Sequence, residues 1–519
     1  MAAANDIAIS TSNDIHDFKL SSLAKPESNR LPTVLAKFTP LPDPLPNGRR
    51  KAVDKRHTHV FPTHSTQKPS CLSRDAEETP SFIGFRNLMI IVLVVSNLRL
   101  MIENYRKYGV LICIQCHDYR QQDILYGLIL YLLVPCHLFV AYIIELAAAR
   151  QAKSAVARIK KAEEEQKPAL RVELRKRFAA IWNMVALAHG INSTLNLMIS
   201  TKVVYSDIYH PGIGTVSELH ALIVWLKVCS YAFTNRDLRH ALLRPESSMP
   251  LPDIYSSCPY PDNINMRNLC YFWWAPTLVY QPVYPRSERI RWPFVFKRLA
   301  EVAGLNVVIW IASTQYATPL LQNSLDKMFT LDLVSIVERV MKLSTISLFC
   351  WLCGFFALFQ SFLNALAEVM RFGDRDFYGD WWNVSSIRTY WSSWNKPVTN
   401  FMKRHVYSPL IGRGWSPPAA QIIVFILSGI LHELLVGVPT HNVIGVAFAG
   451  MMLQIPLIAI TDCLQKMRGV NGKVAGNVIF WVSFCLVGQP LAALLYFFAW
   501  QAKYGSLSKQ GIQFGIFTT

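Results

Sequence analysis

Apolar and polar positions along the chain separate into long blocks instead of alternating at short range. Apolar runs occupy Leu88–Val95, Ile124–Ala149, Ala179–Met198, Val307–Ala317, Leu343–Leu366, Ile422–Val438, Val443–Ile460 and Val474–Trp500. Several reach the roughly 20 residues a helix needs to cross a hydrocarbon core of about 30 Å. A β-barrel would show alternation over segments of about 10 residues instead. The pattern therefore predicts an all-α, multi-pass membrane protein. Nine spans are expected, near 86–102, 123–149, 178–201, 212–234, 298–318, 343–370, 418–438, 441–464 and 475–500.

The polar stretches divide the rest of the chain. Residues 1–80 hold nine prolines, eleven Lys/Arg and nine Asp/Glu without helical or strand periodicity, so a disordered N-terminal tail is expected there. Residues 81–505 form the membrane-embedded domain and 506–519 a short C-terminal tail. The start of the chain is polar, with no basic-then-apolar segment, and suggests no cleavable signal peptide. QAKSAVARIKKAEEEQKPALRVELRKR, residues 151–177, reads as a charged helical extension broken at Pro168. Segment 250–296, with YFWWAPTLVYQPVYP at 271–285, has the aromatic density of a stretch lying flat at the headgroups.

Composition agrees: 52% of residues are hydrophobic and 17% charged. A net charge of +18 raises the question of nucleic acid. The basic residues gather in loops between apolar runs, not on one soluble face, and so set topology; no nucleic-acid partner is expected. Loops 150–177 and 371–417 carry ten and seven Lys/Arg, against three in 103–122. With a cytosolic tail the basic loops share that side, and the C-terminus lies opposite, in the lumen. Cys113 and Cys116 form a lone CxxC, too little for a metal or redox site; no metal is expected.

An ionisable side chain deep in an apolar run is a functional candidate. His432, the twelfth residue of QIIVFILSGILHELLVGVP, lies near mid-membrane by helix rise, and Glu433 follows it. Val436 occupies the position four residues later, so this is no HExxH metal site. Ser428, four residues earlier, shares the face of His432 and is placed to hydrogen-bond the imidazole and set its tautomer. A second group of residues is FGDRDFYGDWWNVSSIRTYWSSWNKPVTNFMKRH at 372–405. An interfacial amphipathic helix accounts for Trp381, Trp382, Trp391, Trp394, Lys396, Lys403 and Arg404, but leaves Asp380 and Asn383 unexplained. Gln454 and Gln489 are amides inside apolar runs, either interhelical ties or a polar cavity wall.

FYGDWWN at 377–383, followed some fifty residues later by the intramembrane His-Glu pair, resembles the membrane-bound O-acyltransferase family. Segments 96–112, 260–287 and 363–383, with FAGMMLQIPL and VGQPLAALLYFF, are similar to its diacylglycerol branch more than to the sterol one. The resemblance runs from about residue 82 to 503. It implies a helical bundle in the endoplasmic reticulum membrane with a tunnel across the bilayer, a homodimer or homotetramer, and fatty acyl-CoA, diacylglycerol and membrane lipids as partners. Acyl-CoA is a co-substrate; no cofactor is implied. Carried over by position, His432 is the catalytic base, Asn383 belongs to the motif that shapes the acyl-CoA site, and Glu433, Gln454 and Gln489 line the reaction chamber. Ser428, Met451, Trp381, Trp382, Tyr390, Lys403 and Arg404 complete the candidate substrate contacts, the last three on the CoA side. Leu434 replaces an aromatic often found after His-Glu. A sterol or fatty-alcohol acyltransferase uses the same chemistry, and a transporter with a pH-sensitive histidine is a more distant alternative.

Overall fold

The computed structural model describes residues 64, 66–73, 80–105, 120–163, 165–243, 251–313, 317, 320–321, 324, 332–466 and 470–514. The CxxC of Cys113 and Cys116 and most of the N-terminal tail lie outside them. The first five helices are α1 (Ile83–Tyr105), α2 (Gln121–Leu133), α3 (Cys136–Lys161), α4 (Lys167–Ser206) and α5 (Pro211–Leu243). Four follow in the middle of the chain: α6 (Met266–Trp274), α7 (Trp292–Ala312), α8 (Leu333–Phe355) and α9 (Leu363–Val369). Short helices α10 (Ile387–Ser393), α11 (Lys396–Met402) and α12 (Ser408–Gly412) lead to α13 (Pro417–Gly437). The last four are α14 (Val446–Met452), α15 (Gln454–Lys466), α16 (Val470–Val482) and α17 (Gln489–Phe514).

Punctuation by proline explains several boundaries, since proline is tolerated in a helix's first turn but not in its interior. Pro135 separates α2 from α3, Pro211 opens α5, and Pro417 and Pro418 open α13. The Ser416 hydroxyl accepts from the Ala419 N–H at 3.4 Å to cap α13. The charged extension breaks at 162–166, ahead of Pro168 and not at it, because Pro168 sits in the first turn of α4.

Each of the nine expected spans overlaps a helix among the described residues, but the structure does not establish nine membrane crossings. Six helical segments are long and apolar enough to cross a membrane: Gln121–Lys161, Pro211–Leu243, Leu333–Val369, Pro417–Gly437, Val446–Lys466 and Gly472–Lys503. The other three carry shorter apolar stretches: that of α1 ends at Ser96, and α7 places Lys297, Arg298 and Glu301 in its first half. Large apolar side chains point outward in quantity, among them Met89, Leu93, Leu132, Met184, Leu187 and Phe296, each more than 60% exposed. A surface of that kind is lipid-facing.

Two expectations change. Segment 251–296 does not lie flat: Tyr255, Tyr260, Phe272, Tyr280 and Tyr284 are buried in the core. It is drawn in by polar side chains of α5. The Lys227 ammonium donates to the carbonyls of Phe272, Trp273 and Ala275 at 2.8–2.9 Å, closing the C-terminus of α6. Ser230 accepts from the Tyr280 N–H at 2.8 Å. Residues 64–73, placed in the tail by composition, pack on the body. The His64 ring bonds Asp374 at 2.5 Å and Thr277 at 2.7 Å, the His64 backbone N–H donates to Gln281 Oε1 at 2.9 Å, and Lys68 pairs by backbone with Gly373. At the other end α17 continues to Phe514, beyond the expected boundary at 505.

Candidate active site

The site builds from α13. His432 is partly buried, and its Nδ1–H donates to the carbonyl of Ser428 at 2.7 Å. A carbonyl oxygen can only accept, so this bond sets the tautomer, and in the neutral imidazole Nε2 is the acceptor. The Ser428 hydroxyl, expected to do this work, stands farther off at 3.4 Å. No other described side chain bonds the ring, so Nε2 has no protein partner among the described residues.

Glu433 points elsewhere. Its carboxylate accepts from the Gly445 N–H at 2.9 Å, the Phe448 N–H at 3.1 Å and the Tyr496 hydroxyl at 2.8 Å. It caps α14, where a negative charge is favoured, and ties α17 to the same point. Gly445 has φ +75°, a left-handed turn that glycine adopts without strain. Through this cap α14 is laid against α13, with Met451 packed on Gly429, three residues before His432.

Gln454, at the start of α15, donates to the Gly450 carbonyl at 3.1 Å and accepts from Trp391 Nε1 at 3.3 Å. Trp391 meets Phe425 of α13 edge-on, with centroids 5.8 Å apart. Residues Phe425, Gly429, His432, Met451, Gln454 and Trp391 thus form one connected wall.

The FYGDWWN segment forms an adjoining block. Trp381 and Trp382 are wholly buried, which removes the headgroup-belt reading for them. Trp381 packs edge-on against Trp351 and Phe355 and at an angle against Trp481, with centroids 5.1–5.7 Å apart. Tyr390 is buried and stacks on Trp394 at 6.0 Å. Asn383 accepts the Gly84 N–H through Oδ1, while its buried Nδ2 has no partner among the described residues. Gly84 admits no side chain, because a Cβ there would overlap the Trp382 carbonyl. No hydrogen bond between described residues joins Asn383 to His432; the two are linked through the Trp381–Tyr390–Trp391–Phe425 ring contacts. Gln489 opens α17 and makes no side-chain hydrogen bond to a described residue.

On the expected CoA side Lys403 is exposed. Arg404 is buried beside Tyr255, and burial pushes its guanidinium below the usual arginine range. Burial also raises the Cys71 thiol to about 12, so it is no nucleophile at neutral pH. Sequence reading missed the polar ties that hold the motif. Asn477 Nδ2 donates to the carbonyls of Trp382 at 3.2 Å and Val384 at 2.8 Å, and Asn87 donates to Asn477 at 2.9 Å. An asparagine inside the apolar run VAGNVIFWV was the available signal for Asn477; Tyr496, one aromatic among many, gave none.

The described residues thus place an imidazole with one open nitrogen in a lipid-facing helix of a multi-pass membrane protein, beside a buried aromatic block. The sequence pattern of the membrane-bound O-acyltransferase family matches residues 216–498, and the chain belongs to that family. It is 38% identical over 440 residues to diacylglycerol O-acyltransferase 1C of Glycine max, covering 84% of this chain and 78% of that one. Diacylglycerol O-acyltransferase 1 of Arabidopsis thaliana is 34% identical over 451 residues, 86% and 79% of the two chains. The protein of that name from Dictyostelium discoideum is 34% identical over 432 residues, 83% and 64%.

Proposed function

We propose that this chain is an acyl-CoA-dependent diacylglycerol O-acyltransferase, forming triacylglycerol, with His432 as general base. The observation that carries the mechanism is the 2.7 Å bond from Nδ1 to the Ser428 carbonyl, which commits Nε2 to accepting. A glycerol hydroxyl ionises far above neutrality, so attack on a thioester needs a base at hydrogen-bond distance. Nε2 takes that proton as the hydroxyl oxygen attacks the thioester carbonyl. The tetrahedral intermediate collapses with cleavage of the C–S bond, and the imidazolium returns the proton to the CoA thiolate. The unpaired Nδ2 of Asn383 is the favoured donor to the oxyanion, with Gln489 the other; loss of one such donor typically costs about 10²–10³ in rate. Glu433, Met451 and Gln454 act by holding the wall around His432. Trp381, Trp382 and Tyr390 support the acyl-CoA side, and Lys403 and Arg404 are the cations nearest a CoA phosphate in this reading. A thioester is already activated, so the scheme uses no cofactor.

The likeness to diacylglycerol acyltransferases over more than four-fifths of the chain supports diacylglycerol as acceptor. It also supports residence in the endoplasmic reticulum membrane; the basic loops support a cytosolic N-terminus and lumenal C-terminus, and a homodimer or homotetramer is the expected assembly. Purified protein given labelled oleoyl-CoA with diacylglycerol, a sterol and a long-chain alcohol in one detergent tests the acceptor. Label mainly in triacylglycerol is expected; label in steryl or wax ester keeps the mechanism and overturns the substrate. Asn383→Ala is expected to lower kcat by about 10²–10³, and an effect no larger than that of Ser385→Ala overturns the donor role.

A further inference from the structure

His189 and His64 are buried against groups that a neutral ring can satisfy. His189 donates Nε2–H to Glu145 at 3.0 Å, and Arg239 holds the other oxygen of that wholly buried carboxylate at 2.5 Å. His64 has Asp374 on one nitrogen and on the other the Thr277 hydroxyl, which can donate to it. His441 differs. It is 2% exposed, with Nδ1 at 2.7 Å from the Tyr205 carbonyl and Nε2 at 2.9 Å from the Ile208 carbonyl. A carbonyl oxygen only accepts and a neutral imidazole has one N–H, so both bonds exist together only in the imidazolium.

The ring stacks on Tyr209 with centroids 5.4 Å apart and meets Tyr205 at 5.5 Å, two aromatic faces that favour a cation. Asp123 of α2 adds a negative charge; it accepts the Tyr209 and His210 N–H groups at 3.2 and 3.1 Å, with Arg120 at 3.7 Å. Asp207 stands half-buried in the same α4–α5 turn, and His210 is neutral there, its Nδ1 accepting from the Ile213 N–H at 3.3 Å. On the other side the Lys503 ammonium of α17 donates to the His441 carbonyl at 2.9 Å. Burial, the largest influence, and Lys503 push the imidazole below the usual histidine range, against the two carbonyls and Asp123. The second proton is therefore held on the acid side of neutrality: both bonds are present below the shifted value, and one is lost as pH rises through it.

The clamp bears on the wall around His432. His441 has φ +55°, a left-handed backbone that a residue with a side chain keeps only when its contacts hold it. Its turn follows α13 directly: the Asn442 N–H donates to the Gly437 carbonyl at 2.9 Å, and a Cβ on Gly437 would stand 2.8 Å from Glu433 Oε1. Gly445, four residues on, is where Glu433 caps α14. We propose that His441 is a positioning residue for the His432 wall: its imidazolium ties the α13–α14 turn to the α4–α5 turn by two bonds, and the neutral ring keeps only one. The role in turnover rests on the reading of His432 as the base.

Hydrogen exchange reads the clamp without turnover. Full-length protein in phosphatidylcholine nanodiscs is exchanged at about pH 5.5 and about pH 8, on either side of the ordinary histidine range. Protection of residues 438–449, corrected for the intrinsic rate at each pH, is followed by mass. Wild type should be about tenfold better protected at the lower pH, the factor that one hydrogen bond from a charged donor makes. His441→Arg keeps a cation with several donors at both pH values and should hold the wild-type acid level throughout. His441→Leu has no donor and should sit at or below the wild-type alkaline level throughout. The kcat ratio of His441→Arg to wild type, read as CoA release with diacylglycerol as acceptor, should rise severalfold from the lower pH to the higher; His432 titrates in both proteins and cancels. Wild-type protection independent of pH, a pH dependence that persists in His441→Arg, or a flat kcat ratio overturns the proposal, and should His441→Leu fail to fold, wild type against His441→Arg decides. Should wild type transfer no acyl group, the reading of His432 falls and exchange alone decides the clamp.

Discussion

Two imidazoles sit in lipid-facing helices and are held in different ways. His432 is oriented by a carbonyl of its own helix, 2.7 Å away; His189 is oriented by the carboxylate of Glu145 from a neighbouring helix, 3.0 Å away. A carboxylate beside an imidazole stabilises the imidazolium, whereas a carbonyl sets the tautomer and stabilises the cation less. A base that must accept a proton and then surrender it to a leaving thiolate is better served by the weaker holder. The i−4 carbonyl also places no charge in the bilayer, so α13 can carry its histidine without a compensating cation. The Glu145 cluster cannot: it stands only with Arg239 in place.

The comparison is open to five substitutions. Largest is His432→Ala, which should lower kcat by about 10²–10⁴ while thermal unfolding and acyl-CoA binding stay near wild type. Near-normal turnover of the folded variant would remove the base from the mechanism. Arg239→Met should act on stability instead, costing about 3–5 kcal/mol by leaving the buried Glu145 carboxylate without its guanidinium and with only the His189 N–H on it. A melting temperature equal to wild type in detergent would show that the cluster is not charge-paired. Glu433→Gln keeps the shape but swaps one acceptor oxygen for a donor facing N–H groups, so about 1–3 kcal/mol is expected. Tyr496→Phe, which removes one bond to the same carboxylate, should cost less than Glu433→Gln in the same melts. Ser428→Ala is the smallest: the carbonyl survives the change, so turnover should remain within about twofold. A tenfold loss would return the tautomer to the hydroxyl.

The candidate histidine was legible because lipid makes a polar residue conspicuous. His432, Gln454 and Asn383 each stood out against apolar or aromatic neighbours, and His432 and Gln454 fall on one wall with Met451 and Trp391. What was not legible was direction. Glu433 adjoins His432 in sequence yet turns about a quarter of a helical circuit away, and its partners are 12 to 63 residues distant. Trp381 and Trp382 read as a headgroup belt because composition cannot separate aromatics that face lipid from aromatics that face each other.

The sequence by itself determined the membrane class, the helical character of its apolar runs, the family resemblance and which histidine is the candidate. Each follows from local composition: an apolar run has to be helical in a bilayer, because the backbone finds no other hydrogen-bond partners there. Tertiary structure alone decided that Glu433 caps α14, that segment 251–296 folds inward onto Lys227 and Ser230, and that Glu145, His189 and Arg239 meet. Those contacts join residues up to about a hundred positions apart. Which polar group a buried polar group will find is settled by the packing of helices and not by the pattern along any one of them.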